Sequence, residues 1–330
     1  MKIENRIIIT GAAGFIGSQL ASFLIKNGHL AQNILLVDDI HKYNERVCTV
    51  QLRKNDFEIC DWHEFPQLLN TGDKANVIFH MGAISNTEEK SKDKLNEQNL
   101  HYSQKIWNYC TENEVPLYYA SSASTYGAGE FGFEDNSEKI PQYKPLNLYA
   151  QSKQDFDLWV LNRIQDGHTP KKWAGFKFFN VYGAGEDHKG SQGSVVWHAK
   201  RQFEEKGVMK LFKSHNPDFK DGEQARDFVY VGDVCNVLNF FYTSSTQNGI
   251  FNLGSGKART FKDLVAATAA AINVECKIEY IPTPESLRAQ YQYFTEASLD
   301  KLRKAGYTVP MTELEEGVKK AIEDDKELKS

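Results

Sequence analysis

Residues 11–17 read Gly-Ala-Ala-Gly-Phe-Ile-Gly, a GxxGxxG run, and what flanks it constrains the fold more than any other feature of the chain. Before it, Arg6 to Thr10 (RIIIT) is a short apolar run that stops at Gly11, as a buried parallel strand does. After it, Ile16, Leu20, Phe23 and Leu24 recur at helical spacing until Asn27-Gly28. In a strand–glycine turn–helix unit, Gly11, Gly14 and Gly17 permit a tight turn, close approach of backbone to a pyrophosphate, and close packing of helix on strand. The helix N-terminus then faces the negative charge. A glycine pattern alone is a weak signal, but here an acid follows the next strand. NILLVDD (33–39) reads as a buried strand, and Asp38, 21 residues beyond Gly17, stands where an acid meets an adenosine ribose. The competing reading is a tight βα turn with a surface aspartate.

The same rhythm continues. ANVIFHMGA (75–83) and VPLYYASSA (115–123) read as two more strands, separated by a polar helical stretch from Lys94 to Asn113. Alternation of this kind predicts an α/β fold, a doubly wound parallel Rossmann sheet. After Gly183 the pattern loosens into glycine-rich and charged segments, GAGEDHKGSQGS and KSHNPDFKDGEQ, which read as substrate-side loops. No low-complexity linker and no internal repeat interrupts the chain. The expectation is a dinucleotide-binding domain over 1–180, with a return segment near 226–255. A smaller C-terminal α/β substrate-binding domain would occupy most of 181–330.

Composition narrows the partners. The formal charge of −5 is spread without long single-sign blocks, which argues against nucleic acid, whose binding rests on basic patches. A small anionic ligand stays compatible, because backbone amides and a few basic residues can hold a diphosphate on an acidic protein. Cys48, Cys60, Cys110, Cys235 and Cys276 form no CxxC or Cys/His cluster, so no metal is expected, and they read as free, mostly buried thiols in a reducing compartment. The N-terminus enters a strand without a signal-peptide stretch, and no apolar run approaches the ~20 residues of a membrane span. A cytoplasmic protein with no membrane partner is expected.

Two questions of chemistry remain. The phosphate state of the cofactor is open on charge alone. Asp38 would accept from a free ribose 2′-hydroxyl, favouring NAD, whereas His41, Lys42 and Arg46 in the same loop could meet the 2′-phosphate of NADP. The reacting pair is clearer. Tyr149-Ala150-Gln151-Ser152-Lys153 is a YxxxK motif whose two side chains share a helix face if FDLWVLNRI continues the helix. An ammonium near a phenol favours the phenolate, so Lys153 is expected to lower the tyrosine pKa. Tyr149 could then exchange a proton with a substrate hydroxyl while hydride passes to or from a nicotinamide. Ser121-Ser122-Ala123-Ser124-Thr125-Tyr126-Gly127, at a strand end, offers hydroxyls for the same oxygen. On most helices YxxxK is a surface pair; the glycine motif and the serine-rich strand end favour the functional reading.

GxxGxxG, SSAxxYG, YxxxK, FxFFNVYG (176–183) and RDFVYVGD (226–233), in this order, resemble the extended short-chain dehydrogenase/reductase superfamily over essentially the whole chain. Within it, FNVYG followed by GEDHKGS, then SVVWH, RDFVYVGDV, GIFNLGSGKARTF and YQYFT, is most similar to the ADP-L-glycero-D-manno-heptose 6-epimerase family. The resemblance implies an isomerase that oxidises carbon 6 of an ADP-heptose to a ketone, lets the sugar present its other face, and returns the hydride. Tyr149 would be one acid/base and Lys189, of the HKG stretch, the other. From the bare residues alone, Lys189 would read as an exposed lysine in a glycine-rich loop. Lys153 would bind the nicotinamide ribose, and Ser122 would hold the reacting oxygen. Phe15, Ile16, Asp38, Asp39, Met81, Gly82, Ala83, Ile84, Ser85, Asn99 and Val181 fall on cofactor positions. Asn180, Ser191, His198, Phe212, Lys213, Ser214, His215, Arg226 and Tyr291 fall on substrate positions.

Arg226 suits a diphosphate through its guanidinium, against an ion pair with Asp227 or Asp233. The family generally uses NADP, implies a homo-oligomer, often a pentamer, and supplies a sugar of lipopolysaccharide. Two stretches depart from its pattern: the loop after Asp39, and an insertion around Pro217 to Gln224 before Arg226. Three other functions were weighed. A UDP-hexose 4-epimerase shares the scaffold but not the HKG loop. A 4,6-dehydratase needs an Asp-Glu pair where Ala123 and Ser124 stand. A non-catalytic dinucleotide sensor would have lost Tyr149 or Lys153.

Overall fold

The computed structural model describes residues 1–288 and 291–329, without the side chains of Val47, Ser286 and Leu287. Seven parallel strands form the central sheet: β1 (Ile7–Thr10), β2 (Ile34–Asp38), β3 (Glu58–Asp61), β4 (Val77–His80), β5 (Leu117–Ser122), β6 (Trp173–Phe178) and, after three strands that lie elsewhere, β10 (Gly249–Leu253). Their order is β10-β6-β5-β4-β1-β2-β3. The first strand is therefore central, with Ile9 registered against Leu36 on one side and Phe79 on the other. Such apolar runs serve strands whose two faces are both covered by helices. One core cluster packs Trp107, Tyr119 and Phe156 against one face, and another packs Leu20, Leu238 and Phe241 against the opposite face.

The predicted strands appear with their ends trimmed by up to three residues, where backbone pairing stops. The helical stretch through Lys94 to Asn113 is broken into a short turn, a π-helical segment Asn96–His101 and the helix Tyr102–Glu112. Beyond Gly183 the loosened pattern builds two small sheets. In one, β7 (Asn180–Tyr182) pairs in parallel with β9 (Ala225–Tyr230), which pairs antiparallel with β11 (Ala258–Thr260). In the other, β8 (Met209–Phe212) pairs with β12 (Ile278–Ile281). Helices Val195–Lys206, Phe261–Ala271 and Leu314–Lys329 cover these sheets through their own small cores. The return segment of the sequence supplies β10 to the large sheet.

Cys48, Cys60, Cys110 and Cys235 are buried free thiols and Cys276 is an exposed one. Among the described residues, no His/Cys/Asp/Glu group is arranged to hold a metal ion, and no helix is long and apolar enough to cross a membrane.

Candidate active site

A cleft of about 1230 Å3 opens along the carboxyl ends of the central strands and runs to the small sheets. In a doubly wound sheet, ligands bind where the chain leaves β1 in one direction and β4 in the other. The glycine motif sits there. Gly11 has φ +71°, and a Cβ on it would lie 2.6 Å from the Gly82 backbone; a Cβ on Gly17 would lie 2.2 Å from the Gly11 carbonyl. Only glycine allows this turn against the β4 loop and this approach of helix to strand. The helix Phe15–Lys26 starts from Gly14 at the cleft wall, and among the described residues no side chain caps its first amides.

Asp38 lines the cleft at the end of β2. Its carboxylate accepts from the Ala13 amide (2.9 Å) and from the Asp39 amide (2.7 Å). Burial raises its pKa above the usual carboxylate value, while those amides and the charges of Arg46 and Lys42 pull it back. Arg46 also donates to the Ala13 carbonyl at 2.9 Å, and Lys42, Arg46, Trp62, Gln98 and Tyr102 line the same part of the cleft. Asp39 does not line it: its side chain caps the short helix Ile40–Glu45 through the His41 and Lys42 amides.

Met81, Gly82, Ala83, Ile84 and Ser85 form the cleft wall after β4. Asn99 lies behind that wall, 1% exposed. Its amide group accepts from the Ile84 N–H (2.8 Å) and donates to the Ile84 carbonyl (3.0 Å) and to Ser152 Oγ (2.9 Å). Ser152 in turn donates to the Tyr149 carbonyl, so one side chain joins the cofactor-side loop to the helix of the YxxxK pair.

That helix, Leu148–Gln165, begins at Asn147, whose side chain caps the Ala150 amide. Four-residue spacing places Tyr149 and Lys153 along one side of it, both on the cleft. Lys153 is 6% exposed and donates to the Ala120 carbonyl at 3.0 Å. Burial pushes its pKa down to about 8, against the pull of Asp157. Tyr149 departs from expectation. Enclosure among protein atoms holds its phenol above the ordinary value, and a hydrogen bond with Ser122 draws it partly back. Burial is the larger of these two influences on the phenol. Ser122 Oγ also meets Ser124 Oγ at 2.8 Å.

Beneath this strand end lies a buried ion pair. Lys177 Nζ donates to Asp157 Oδ2 (2.6 Å) and Thr125 Oγ1 (2.7 Å), and Ser121 Oγ donates to the same Asp157 oxygen (2.7 Å). Both charged side chains are completely shielded from solvent. They tie β5, β6 and the Leu148–Gln165 helix together just below Ser122.

Lys189 enters from the opposite side, on a 3₁₀ turn spanning Asp187–Gln192. Far from being a loose glycine-rich loop, this segment is held on both sides. Gln19 donates to the Ala184 carbonyl, and Lys329 of the C-terminal helix reaches Asp187 at 2.9 Å. Lys189 Nζ lies 3.0 Å from Glu186 Oε2 and 4.8 Å from the centre of the Phe15 ring. His188 lines the cleft beside it, its imidazole pushed by burial to a pKa of about 4.

Of the predicted substrate positions, Asn180, Ser191, Arg226 and Tyr291 line the cleft, as does Val181. Arg226 is 7% exposed, and its guanidinium lies 5.6 Å from the ring centres of both Phe261 and Tyr291. Burial lowers its pKa to about 10. Neither proposed carboxylate partner pairs with it. Asp227 accepts from the amides of Ser255, Gly256 and Ala297, and Asp233 from Thr312. His198, Phe212, Lys213, Ser214 and His215 stand outside the cleft lining. His198 contacts the Ser191 carbonyl, and Ser214 turns back on Asn216 and Asp221. The His215 amide bonds the Tyr293 hydroxyl, whose ring also meets Phe219 of the insertion and Tyr291 of the cleft. Sequence reasoning did not single out Trp62, Gln98, Asn147, Glu186 or Gln292, and only Glu186, three residues before Lys189, carried a usable spacing signal.

Residues 7–254 match the sequence profile described as the NAD dependent epimerase/dehydratase family. An ADP-L-glycero-D-manno-heptose-6-epimerase of Fusobacterium nucleatum is 42% identical over 332 aligned residues, covering 96% of this chain and 97% of the relative. One from Nitratidesulfovibrio vulgaris is 44% identical over 315, covering 94% and 95%. Among solved structures, a Helicobacter pylori ADP-L-glycero-D-manno-heptose-6-epimerase superposes with a TM-score of 0.78 at 24% identity, covering 98% of this chain and 97% of that one. A Thermus thermophilus UDP-glucose 4-epimerase in complex with NAD gives 0.75 at 23%, covering 97% and 99%.

Proposed function

The chain belongs to the NAD dependent epimerase/dehydratase family and, within it, to the ADP-L-glycero-D-manno-heptose 6-epimerases, and we propose that its cleft interconverts ADP-D-glycero-D-manno-heptose and ADP-L-glycero-D-manno-heptose by transient oxidation at carbon 6. The observation that carries this reading is the presence of two proton-carrying side chains, Tyr149 and Lys189, on separate elements lining one cleft beside a glycine cradle. A nicotinamide dinucleotide held there supplies the hydride acceptor and donor. The residues present fit such a group: the turn closes against the Gly82 and Gly11 backbone only with glycine at 11 and 17, and the uncapped amides at the Phe15 helix start suit a pyrophosphate.

Inverting a carbinol carbon requires hydride to leave one face and return to the other, so the oxygen needs a proton carrier in each orientation of the sugar. Tyr149, steadied by Ser122, serves one orientation. Lys189 serves the other. Lys153 holds the ribose side of the cofactor and keeps a positive charge near the phenol, and Arg226 with Tyr291 binds the nucleotide diphosphate. Residues 1–180 supply most of the dinucleotide site, and 181–330 most of the sugar-nucleotide site.

NADP is the cofactor in this reading, supported by Lys42 and Arg46, which line the cleft beside Asp38 and could meet a 2′-phosphate. In this reading the enzyme works in the cytoplasm as a homo-oligomer, and its product serves lipopolysaccharide synthesis, the last in keeping with the names of its heptose-epimerase relatives.

The test is incubation with each ADP-heptose and with a panel of UDP- and GDP-hexoses, the products resolved by NMR. Interconversion of the two ADP-heptoses, lost in Tyr149→Phe and in Lys189→Ala, is expected. Turnover of a UDP-hexose without action on ADP-heptose would overturn the reading in favour of a 4-epimerase. Mass spectrometry of the cofactor released on denaturation decides NADP against NAD.

A further inference from the structure

We infer that Glu186 is a positioning residue for Lys189, fixing the amine where the second proton carrier of the reaction must stand. The inference rests on the two-carrier reading above. Glu186 precedes the 3₁₀ turn that carries Lys189, and the Lys189 amide closes that turn on the Glu186 carbonyl at 2.9 Å. In such a turn residues i and i+3 eclipse, so the two side chains rise on the same edge.

What separates this pair from an ordinary surface pair is burial and the fate of the other lone pairs. Lys320 and Glu316 form an ion pair with both side chains in solvent, which constrains little. The Glu186 side chain is fully shielded, while Lys189 keeps a 23% exposed face toward the cleft. Glu186 Oε1 accepts from the Gly183 amide at 3.2 Å, and Oε2 accepts from the Ser194 amide at 2.8 Å and from Lys189 Nζ at 3.0 Å. Gly183 follows β7, and Ser194 is the N-cap of the helix Val195–Lys206. The carboxylate is therefore held by the backbone at both edges of the turn, and Lys189 is the one charged partner it has among the described residues. A flexible four-carbon stem in an open cleft would otherwise sample many rotamers. Bonded to a fixed carboxylate on one side and resting against the Phe15 ring on the other, the amine occupies one place beside the cofactor cradle.

The experiment uses the cofactor-loaded enzyme as wild type, Glu186→Gln, Glu186→Asp and Lys189→Ala. Each is mixed with one epimer at a time in single-turnover mode, and reduction of the bound nicotinamide is followed by absorbance. Cofactor content and melting temperature are recorded in parallel. In Glu186→Gln, reduction by the epimer that depends on Lys189 is expected to slow by roughly 10²-fold, the scale of a misplaced reacting group, while reduction by the epimer that depends on Tyr149 stays at the wild-type rate. Glu186→Asp keeps the charge but draws the carboxylate back by one methylene, so it shows the same asymmetry; it decides the matter if the Gln variant does not hold its cofactor. Equal slowing of both epimers would reduce Glu186 to a structural prop and overturn the inference. So would asymmetry in Lys189→Ala without asymmetry in the Glu186 variants. Equal rates for both epimers in Lys189→Ala would instead sink the two-carrier reading on which the inference stands.

Discussion

Asn99 Nδ2 donates to Ser152 Oγ at 2.9 Å, and through this bond the loop that walls the cofactor side is fixed to the helix that carries Tyr149 and Lys153. The rest of the Asn99 amide is spent on the Ile84 N–H and carbonyl. One side chain therefore bridges the cleft wall after β4 and the helix of Tyr149 and Lys153.

Truncation of this side chain leaves buried backbone groups without partners. Each unsatisfied group costs about 1–3 kcal/mol. Asn99→Ala is expected to lower the urea midpoint by a corresponding amount and to weaken retention of the dinucleotide through gel filtration. Wild-type stability combined with wild-type cofactor content would show that the wall stands without this bond.

A second prediction concerns pH and activity. Lys153 loses its proton near pH 8, far below a solvated lysine, because burial disfavours its charge. If the ammonium supports the phenol and the cofactor ribose, kcat/KM should fall as pH rises through about 8. Lys153→Arg keeps its charge across this range. Its profile should lack that alkaline limb, at a lower plateau because the guanidinium fork does not copy a point charge. A limb that persists unchanged in the arginine variant assigns it to another group.

Much of this site could be read from the chain alone. The glycine run, Asp38 and the YxxxK pair are local patterns: their meaning comes from neighbours a few residues away, and strand, turn and helix followed the apolar spacing closely. Glu186 was legible only as a spacing, three residues before Lys189; its burial was not, because a charged residue in a glycine-rich loop reads as solvated until the fold buries it. Lys177 was hidden for the opposite reason. Within WAGFKF an isolated lysine breaks an apolar run, and nothing nearby in sequence reveals the carboxylate of Asp157, twenty residues before it, that makes its burial tolerable. His198 and Phe212 to His215 match substrate positions in sequence but stand off the cleft lining, with the ring of the inserted Phe219 tilted against Tyr293. The tyrosine pKa failed as an expectation because an i,i+4 spacing says nothing about enclosure, and enclosure dominates here.

His80 supplies a stability prediction with a definite sign. Its ring nitrogens meet Thr10 Oγ1 (2.7 Å) and Ser103 Oγ (2.8 Å), and burial first, then the charge of Lys153, depresses its pKa to about 3. The unfolded chain would bind a proton near 6.5. The folded value is the lower one, so this contribution to stability is complete above 6.5 and is lost as pH falls through the interval toward about 3. One proton corresponds to about 1.4 kcal/mol per pH unit. Denaturant titrations from neutral pH downward should show that slope, and His80→Gln should flatten it. A His80 imidazole resonance, identified by its loss in His80→Gln, that titrates near 6.5 in the folded protein would refute the assignment.

The pair of Lys177 and Asp157 should behave non-additively. Each is fully buried, and among the described residues each forms its only salt bridge with the other. Removing one partner strands an ion in the interior, at a cost of about 3–5 kcal/mol, whereas replacing both by apolar residues of similar volume is often close to neutral. Here neutrality is not expected, because Asp157 also accepts from Ser121 and Tyr119, and Lys177 also donates to Thr125. Asp157→Leu and Lys177→Met should each cost several kcal/mol in urea titrations, and the double variant clearly less than their sum. The double variant should also lose activity beyond its loss of stability, because Ser121 and Thr125 flank Ser122 and would no longer be anchored. Simple additivity of the two single costs would mean that the ion pair contributes nothing as a pair. Full activity in the double variant would mean that the strand end beneath Tyr149 is set by packing alone.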